Sequence, residues 1–165
     1  MIFNTPWFLL FFPAVYAGFW ALPGARVRFY FILLSCAVFH YHFAGPAGVL
    51  PIVVMGVTTF FLGLALHQLS GRPAYRRGVF LVAISIPVLA LLSYKYRPLF
   101  LDSLAGLRVV SVNTTHSSVP VLPLAISFFT FEFVHYLVDV YGGDAPIRDP
   151  LHFGMFAIFF PSIVS

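Results

Sequence analysis

Charge in this chain is confined to short gaps between long apolar runs, and that pattern restricts the possible folds more than any other feature. Arg26 and Arg28 share one gap; Arg72, Arg76 and Arg77 share another. Hydrophobic residues make up 61% of the 165 residues and charged ones 8%, with a mean hydropathy of +0.97. A water-soluble domain of this length has too little interior to hide so much apolar surface. A bilayer removes the difficulty, and a charge at its centre costs about 2.5–3.5 kcal/mol on insertion scales, which explains why the arginines keep to the gaps. The expected fold is all-α, a polytopic integral membrane protein.

A helix crosses the hydrocarbon core with about 20 apolar residues. Six stretches approach that length: Thr5–Leu22, Val27–Ala44, Ala47–Leu69, Gly78–Tyr96, Val121–Tyr141 and Leu151–Ser165. About six membrane segments are therefore expected. The fifth carries Glu132, His135 and Asp139, so it is either a polar-lined span or a segment that dips in and packs inside protein. Pro23-Gly24, Gly45-Pro46, Gly71 with Pro73, and Gly142-Gly143 with Pro146 punctuate the boundaries as turn chemistry requires. No Lys or Arg precedes Arg26, so the first run reads as a retained span rather than a cleaved signal.

The Arg-bearing gaps at 24–28 and 72–77 are the first and third loops and fall on one side. The positive-inside rule puts them in the cytoplasm and the N-terminus outside. Lys95, Arg97 and Arg108 run against that rule. The polar segment Pro98–Pro120 leaves the core and holds an Asn113-Thr114-Thr115 sequon, a triplet that matters only in a eukaryotic secretory route.

The net charge of +4 comes from juxtamembrane arginines, not from a basic stripe interleaved with aromatics, which argues against nucleic-acid binding. Cys36, the single cysteine, lies in an apolar run and reads as a small packing residue. His40 and His42 flank Tyr41 and read as headgroup-level anchors, as does His67; His116 reads as a loop residue, and His152 either caps a helix or faces a cavity. No Ser-His-Asp arrangement, phosphate-cradling glycine loop or zinc-spaced Cys/His set is present.

The strongest local signal is 126–141, ISFFTFEFVHYLVDVY. On a helix, Phe128, Glu132, His135 and Asp139 fall at i, i+4, i+7 and i+11, with Tyr136 beside them. Three ionisable groups on one face of an apolar segment must look toward protein or water. Three readings stand: a wall of a substrate or cofactor funnel, a metal site, or an interhelical hydrogen-bond network. Glu132-x-x-His135 has the spacing of half a di-iron carboxylate site, but a second Glu-x-x-His is missing, so no metal is expected.

Several segments carry a resemblance. Met1-Ile2-Phe3-Asn4, the run Phe8–Pro13, Tyr16-Ala17-Gly18-Phe19-Trp20, Leu22-Pro23, Arg28, Phe39-His40-Tyr41 and Ser93-Tyr94-Lys95-Tyr96 resemble the membrane-bound O-acyltransferase family, in its bacterial branch of the alginate O-acetyltransferase type. The closest wording is Leu122-Pro123-Leu124-Ala125-Ile126-Ser127-Phe128-Phe129-Thr130-Phe131, followed by Tyr136, Asp139-Val140-Tyr141 and Gly143-Asp144. The branch reads Leu-Pro-x-Gly-Ile-Ser-Phe-Tyr-Thr-Phe-Gln there, then Tyr-x-x-Asp-Val-Tyr-Arg-Gly. Phe159-Phe160-Pro161 resembles the Phe-Pro before its Gly-Pro-Ile element. Glu132 replaces the usual Gln, His135 a small residue, and Gly142 an Arg.

The resemblance implies that residues 1–165 are the N-terminal part of a multi-span O-acyltransferase in a bacterial inner membrane. Its activity would move an acyl group, acetyl by expectation, from acyl-CoA or a similar thioester to a hydroxyl of a polysaccharide or related glycan. It implies no bound cofactor. The catalytic histidine would lie beyond residue 165, so none of the six histidines here takes that role. Ser127, Thr130, Glu132, His135, Tyr136 and Asp139 are the expected pocket-lining residues. Expected partners are membrane lipid, the glycan acceptor and extracytoplasmic glycan-modifying proteins. The competing expectation is a non-catalytic membrane transport or scaffold component, or a truncated inactive product.

Overall fold

Helix starts follow from local chemistry. Thr5 Oγ1 accepts the Phe8 amide at 3.3 Å and Pro6 occupies the first turn, so α1 runs Pro6–Ala21. The computed structural model describes residues 5–96 and 125–160. After α1 come α2 (Ala25–Gln68), α3 (Pro73–Lys95, again opened by a proline), α4 (Ile126–Gly142) and α5 (Pro150–Ile158). The described residues contain no strand. The polar segment Pro98–Pro120, with its sequon and His116, lies outside the described residues, as do 121–124 and 161–165.

α2 is not one straight rod. Gly45 sits at φ 64, ψ 176, a region open in practice only to glycine, and Pro46 has no N–H to continue the ladder. The helix therefore breaks into two arms, 25–44 and 46–68. Contacts with α5 show that the arms run back past each other. On the first arm, Phe29 meets His152 (4.9 Å between rings) and His40 Nε2 lies 2.9 Å from Ile158 O. On the second, Phe60 meets Phe153 at 5.2 Å, and a Cβ built on Gly56 would touch Ala157 at 4.0 Å. The start of α5 thus faces the outer ends of both arms, and its finish faces the bend.

α1 lies antiparallel to the first arm: Trp7 stacks on His42 at 4.0 Å, and Gly18 abuts Phe31. α3 returns alongside the second arm, and α4 packs against both, forming a core with Leu66, Phe129, Phe133, Leu137 and Phe153. This order gathers Arg26, Arg28, Arg72, Arg76, Arg77 and Arg148 at one end of the bundle. The two Arg-bearing loops do fall on the same side.

Two helices, α2 and α3, are long and apolar enough to cross a membrane. Little of α3 is buried, with Leu81 and Leu89 60% and 61% exposed, so it is not the core helix of the described fold. The expected count of six segments is not met. α1 has 16 residues, about 24 Å at 1.5 Å per residue, α4 has 17 and α5 has 9. An apolar run in sequence continues through caps and turns where the backbone stops being helical. Val27–Ala44 and Ala47–Leu69 correspond to the two arms of α2.

One other expectation changes, and one left open is resolved. His40 is 3% exposed and hydrogen-bonds Ile158 O, so it is an interior strut, not a headgroup anchor. His42 remains exposed but stacks on Trp7. His152 proves to be part of a cap: Asp149 accepts the Leu151 amide at 2.9 Å and lies 2.6 Å from His152 Nδ1.

Ala125, the N-cap of α4, has φ 54 and ψ 30, left-handed backbone that costs a non-glycine residue about 1–2 kcal/mol. The branch pattern's glycine at this place has a physical reason. In the complete protein, Gly45→Ala should lose roughly 1–3 kcal/mol and Ala125→Gly should gain about 1 kcal/mol, read as opposite shifts of the thermal unfolding midpoint in detergent. The Leu151 amide, and then His152, hold the Asp149 carboxyl below its ordinary value. The stabilisation this gives α5 is therefore present above the ordinary carboxylate range and lost as pH falls through the lowered value. Hydrogen-exchange protection at Leu151 should drop below about pH 4 in the native protein, while Asp149→Asn should flatten that dependence.

Candidate functional site

The polar helix α4 is fixed by an arginine from the first turn of α3. Arg76 Nη2 donates to Val140 O (3.1 Å) and Tyr141 O (2.8 Å), and its Nε donates to Leu66 O at 3.3 Å. These carbonyls lie in the last turns of α4 and α2, where the regular helical donors run out (the Gly143 amide also reaches Val140 O at 3.3 Å), so one cation meets two negative helix termini. The guanidinium lies 4.8 Å over the Tyr141 ring, which stacks on Phe80 at 4.0 Å. In sequence Arg76 is one of three loop charges; the signal that it clamps helix ends exists only in three dimensions.

Along α4 the buried face is Ile126, Phe129, Thr130, Phe133, Tyr136, Leu137 and Val140, a helical repeat turned toward α2 and α3. The six expected pocket residues do not converge. Three are engaged in packing. Thr130 Oγ1 donates to Ile126 O at 2.8 Å and lies 3.4 Å from Pro87 O. Ser127 Oγ accepts from Lys95 Nζ at 3.3 Å. Tyr136 Oη accepts the Ile147 amide at 3.3 Å, tying down the loop before α5.

The remaining three sit on the outer side. His135 Nδ1 pairs with Asp139 Oδ2 at 3.2 Å, with side chains 80% and 42% exposed. Glu132 lies between the two faces, its Oε2 buried and without a hydrogen-bond partner among the described residues. Glu132, His135 and Asp139 share a side as the spacing requires, but Thr130 and Tyr136 belong to the core. No group of three His, Cys, Asp or Glu side chains gathers among the described residues, so Glu132 and His135 have no further ligands there for a metal.

Close packing of α4 on the second arm of α2 uses two glycines one heptad apart. A Cβ on Gly63 would meet Tyr136 Cε1 at 2.8 Å, and one on Gly56 would meet Phe133 Cζ at 3.5 Å. Small residues at this spacing let membrane helices approach. That signal was present in the sequence, whereas the burial of His40 was not.

Along this framework the chain matches curated proteins of one kind. It is 27% identical over 167 aligned positions to a probable alginate O-acetylase of Pseudomonas syringae pv. tomato, an alignment covering 100% of this chain and 32% of that protein. The probable alginate O-acetylase of Pseudomonas aeruginosa is 28% identical over 172 positions, again covering 100% and 32%. The peptidoglycan O-acetyltransferase of Helicobacter pylori is 31% identical over 146 positions, covering 86% of this chain and 27% of the relative. The chain is thus similar along its length to proteins named alginate O-acetylase, and over most of it to one named peptidoglycan O-acetyltransferase. It spans about a third of the length of the curated relatives it matches. No family model matches it and no solved structure does at a significant level.

By its contacts Arg76 acts as a positioning residue for the α4 segment. In the complete protein, Arg76→Gln should cost about 3 kcal/mol, the worth of one or two charge-assisted hydrogen bonds, with Arg76→Lys recovering only part because it lacks the planar fork. Thermal unfolding in detergent reads the loss. Amide exchange at the ends of α2 and α4 should rise with it.

Proposed function

We propose that this chain forms the N-terminal part of a membrane O-acyltransferase that moves an acetyl group from acyl-CoA or a similar thioester to a hydroxyl of a polysaccharide or related glycan. The supporting observation is the likeness, along the whole chain, to proteins named alginate O-acetylase, with a peptidoglycan O-acetyltransferase beside them. A histidine outside this chain would take the proton of the acceptor hydroxyl, whose oxygen attacks the thioester carbonyl; the C–S bond then breaks, and the thiol leaves with the proton returned by the histidine. The residues described here supply scaffold and one polar wall.

The outer face of α4 favours that division of labour. An imidazole–carboxylate pair exposed beside Phe131 and Val138 is costly against acyl chains. His135, Asp139 and Glu132 would therefore face further protein or a wet funnel through which donor and acceptor meet. In this reading the Arg-bearing end is cytoplasmic, the N-terminus is outside, and the two α2 arms count as separate crossings of a bacterial inner membrane. Extracytoplasmic glycan-modifying proteins would take over the product.

A second reading, a non-catalytic membrane component, draws on Ser127, Thr130 and Tyr136, whose polar atoms are already engaged with neighbours. One pair of variants in the complete protein separates the two. Asp139→Asn should lower glycan O-acetyl content at least roughly tenfold at normal protein level, while Glu132→Gln, which restores the branch residue, should leave it nearly unchanged. Acetyl loss in proportion to protein loss would support the packing role instead.

A further inference from the structure

A sizeable cavity lies away from α4. It holds about 800 Å³ between α1 and the first arm of α2, with Val15, Phe19, Ile32, Met155 and Phe160 among its walls and Arg28 at one end. We propose that this groove holds an acyl chain of an anionic phospholipid whose headgroup pairs with Arg28. The proposal rests on the membrane reading and not on acyl transfer.

Three observations carry it. First, the volume falls within the roughly 300–1,000 Å³ of small-ligand sites and the walls are apolar along their length. Second, the cation is fixed. Arg28 Nε donates to Leu22 O at 2.9 Å, and its guanidinium lies 5.3 Å and 5.5 Å from the Phe19 and Trp20 rings, which with Arg28 itself line the groove.

Third, the charge there is uncompensated. No carboxylate pairs with Arg28 among the described residues; the nearby Asp149 is engaged by Leu151 and His152. Exposed Arg26 adds to the positive field. The α2 start has no side-chain cap, so its first amides contribute in the same sense. Tyr16 and Trp20, both about 60% exposed, stand along the groove rim. Amphipathic rings of this kind mark the headgroup level. An opening toward lipid, with an apolar trough and a cation at its end, matches an anionic lipid rather than a zwitterionic one, whose own ammonium would oppose Arg28.

The test uses the complete protein in nanodiscs of equal phosphatidylglycerol and phosphatidylethanolamine, with retained lipids identified by native mass spectrometry. Wild type should retain phosphatidylglycerol preferentially. Arg28→Gln should reduce that species about fivefold, the effect of one basic residue beside an anionic surface, and Arg28→Lys should keep most of it. Ala25→Trp, which plugs the mouth at an exposed position, should reduce retention without changing charge. Absence of headgroup preference, or retention unchanged in both Arg28→Gln and Ala25→Trp, would overturn the proposal, as would displacement of the lipid by an acyl thioester.

If Arg28→Gln fails to fold because its tie to Leu22 is lost, phosphatidylglycerol with a photoactivatable acyl chain carries the test. Adducts on α1 and the first arm support the site; adducts confined elsewhere sink it. Alkaline carbonate washing checks the membrane reading separately. A protein that stays in the membrane but retains no phosphatidylglycerol overturns this inference alone.

Discussion

A single guanidinium holds three helix ends at one level. Arg76 rises from the first turn of α3 and bonds the last carbonyls of α2 and α4. Carbonyl groups in the last turn of a helix lack intrahelical donors, and a charged donor that bonds several of them contributes more than neutral ones would. Arginine suits the task because its charge survives partial burial and its fork reaches several acceptors at once. With those ends fixed, the rise of each helix sets which side chains meet further along. Tyr136 reaches Gly63, Thr130 reaches the Pro87 carbonyl, and Lys95 reaches Ser127 at the far end of the α3–α4 pair.

Away from that clamp, cohesion depends on shape and on short polar ties. Lipid-facing leucines gain nothing by moving inward, so association has to come from packing and hydrogen bonds. Gly63 brings the α2 and α4 surfaces close enough for the Tyr136 ring to occupy the place of a β-carbon, while Phe133 stands at ordinary contact distance over Gly56. A chain of aromatic contacts, Trp7 to Phe39 to Phe160, does the same between α1, the first arm of α2 and the end of α5. Polar atoms along these seams are paired locally, Thr130 with its own helix and Ser35 with Phe31 O.

Much of this was legible in the residues. Charge confined to gaps indicated the membrane class, and it placed Arg26, Arg28, Arg72, Arg76 and Arg77 at one end, where the fold has them. The turn residues marked every break, Gly45 included. Hydropathy failed on element length, because an apolar residue in a cap or a turn scores the same as one in a helix. The stripe on α4 was half legible. Spacing put Glu132, His135 and Asp139 on a common side, but it could not show that Tyr136, one residue from His135, turns inward to the Ile147 amide. His40 escaped for a related reason: position at the end of an apolar run suggested an interface, and only the fold back at Gly45 encloses it.

α5 ends after nine residues, beside His40 and Phe39 rather than at the level of the opposite loops. Its carboxyl end therefore lies within the layer of side chains, where a helix terminus carries roughly half a negative charge. His40 answers one of those carbonyls. The end of α5 is thereby tied to the first arm of α2 near its bend, among the rings of Phe39 and Phe160, at the opposite end of the helix from Arg148.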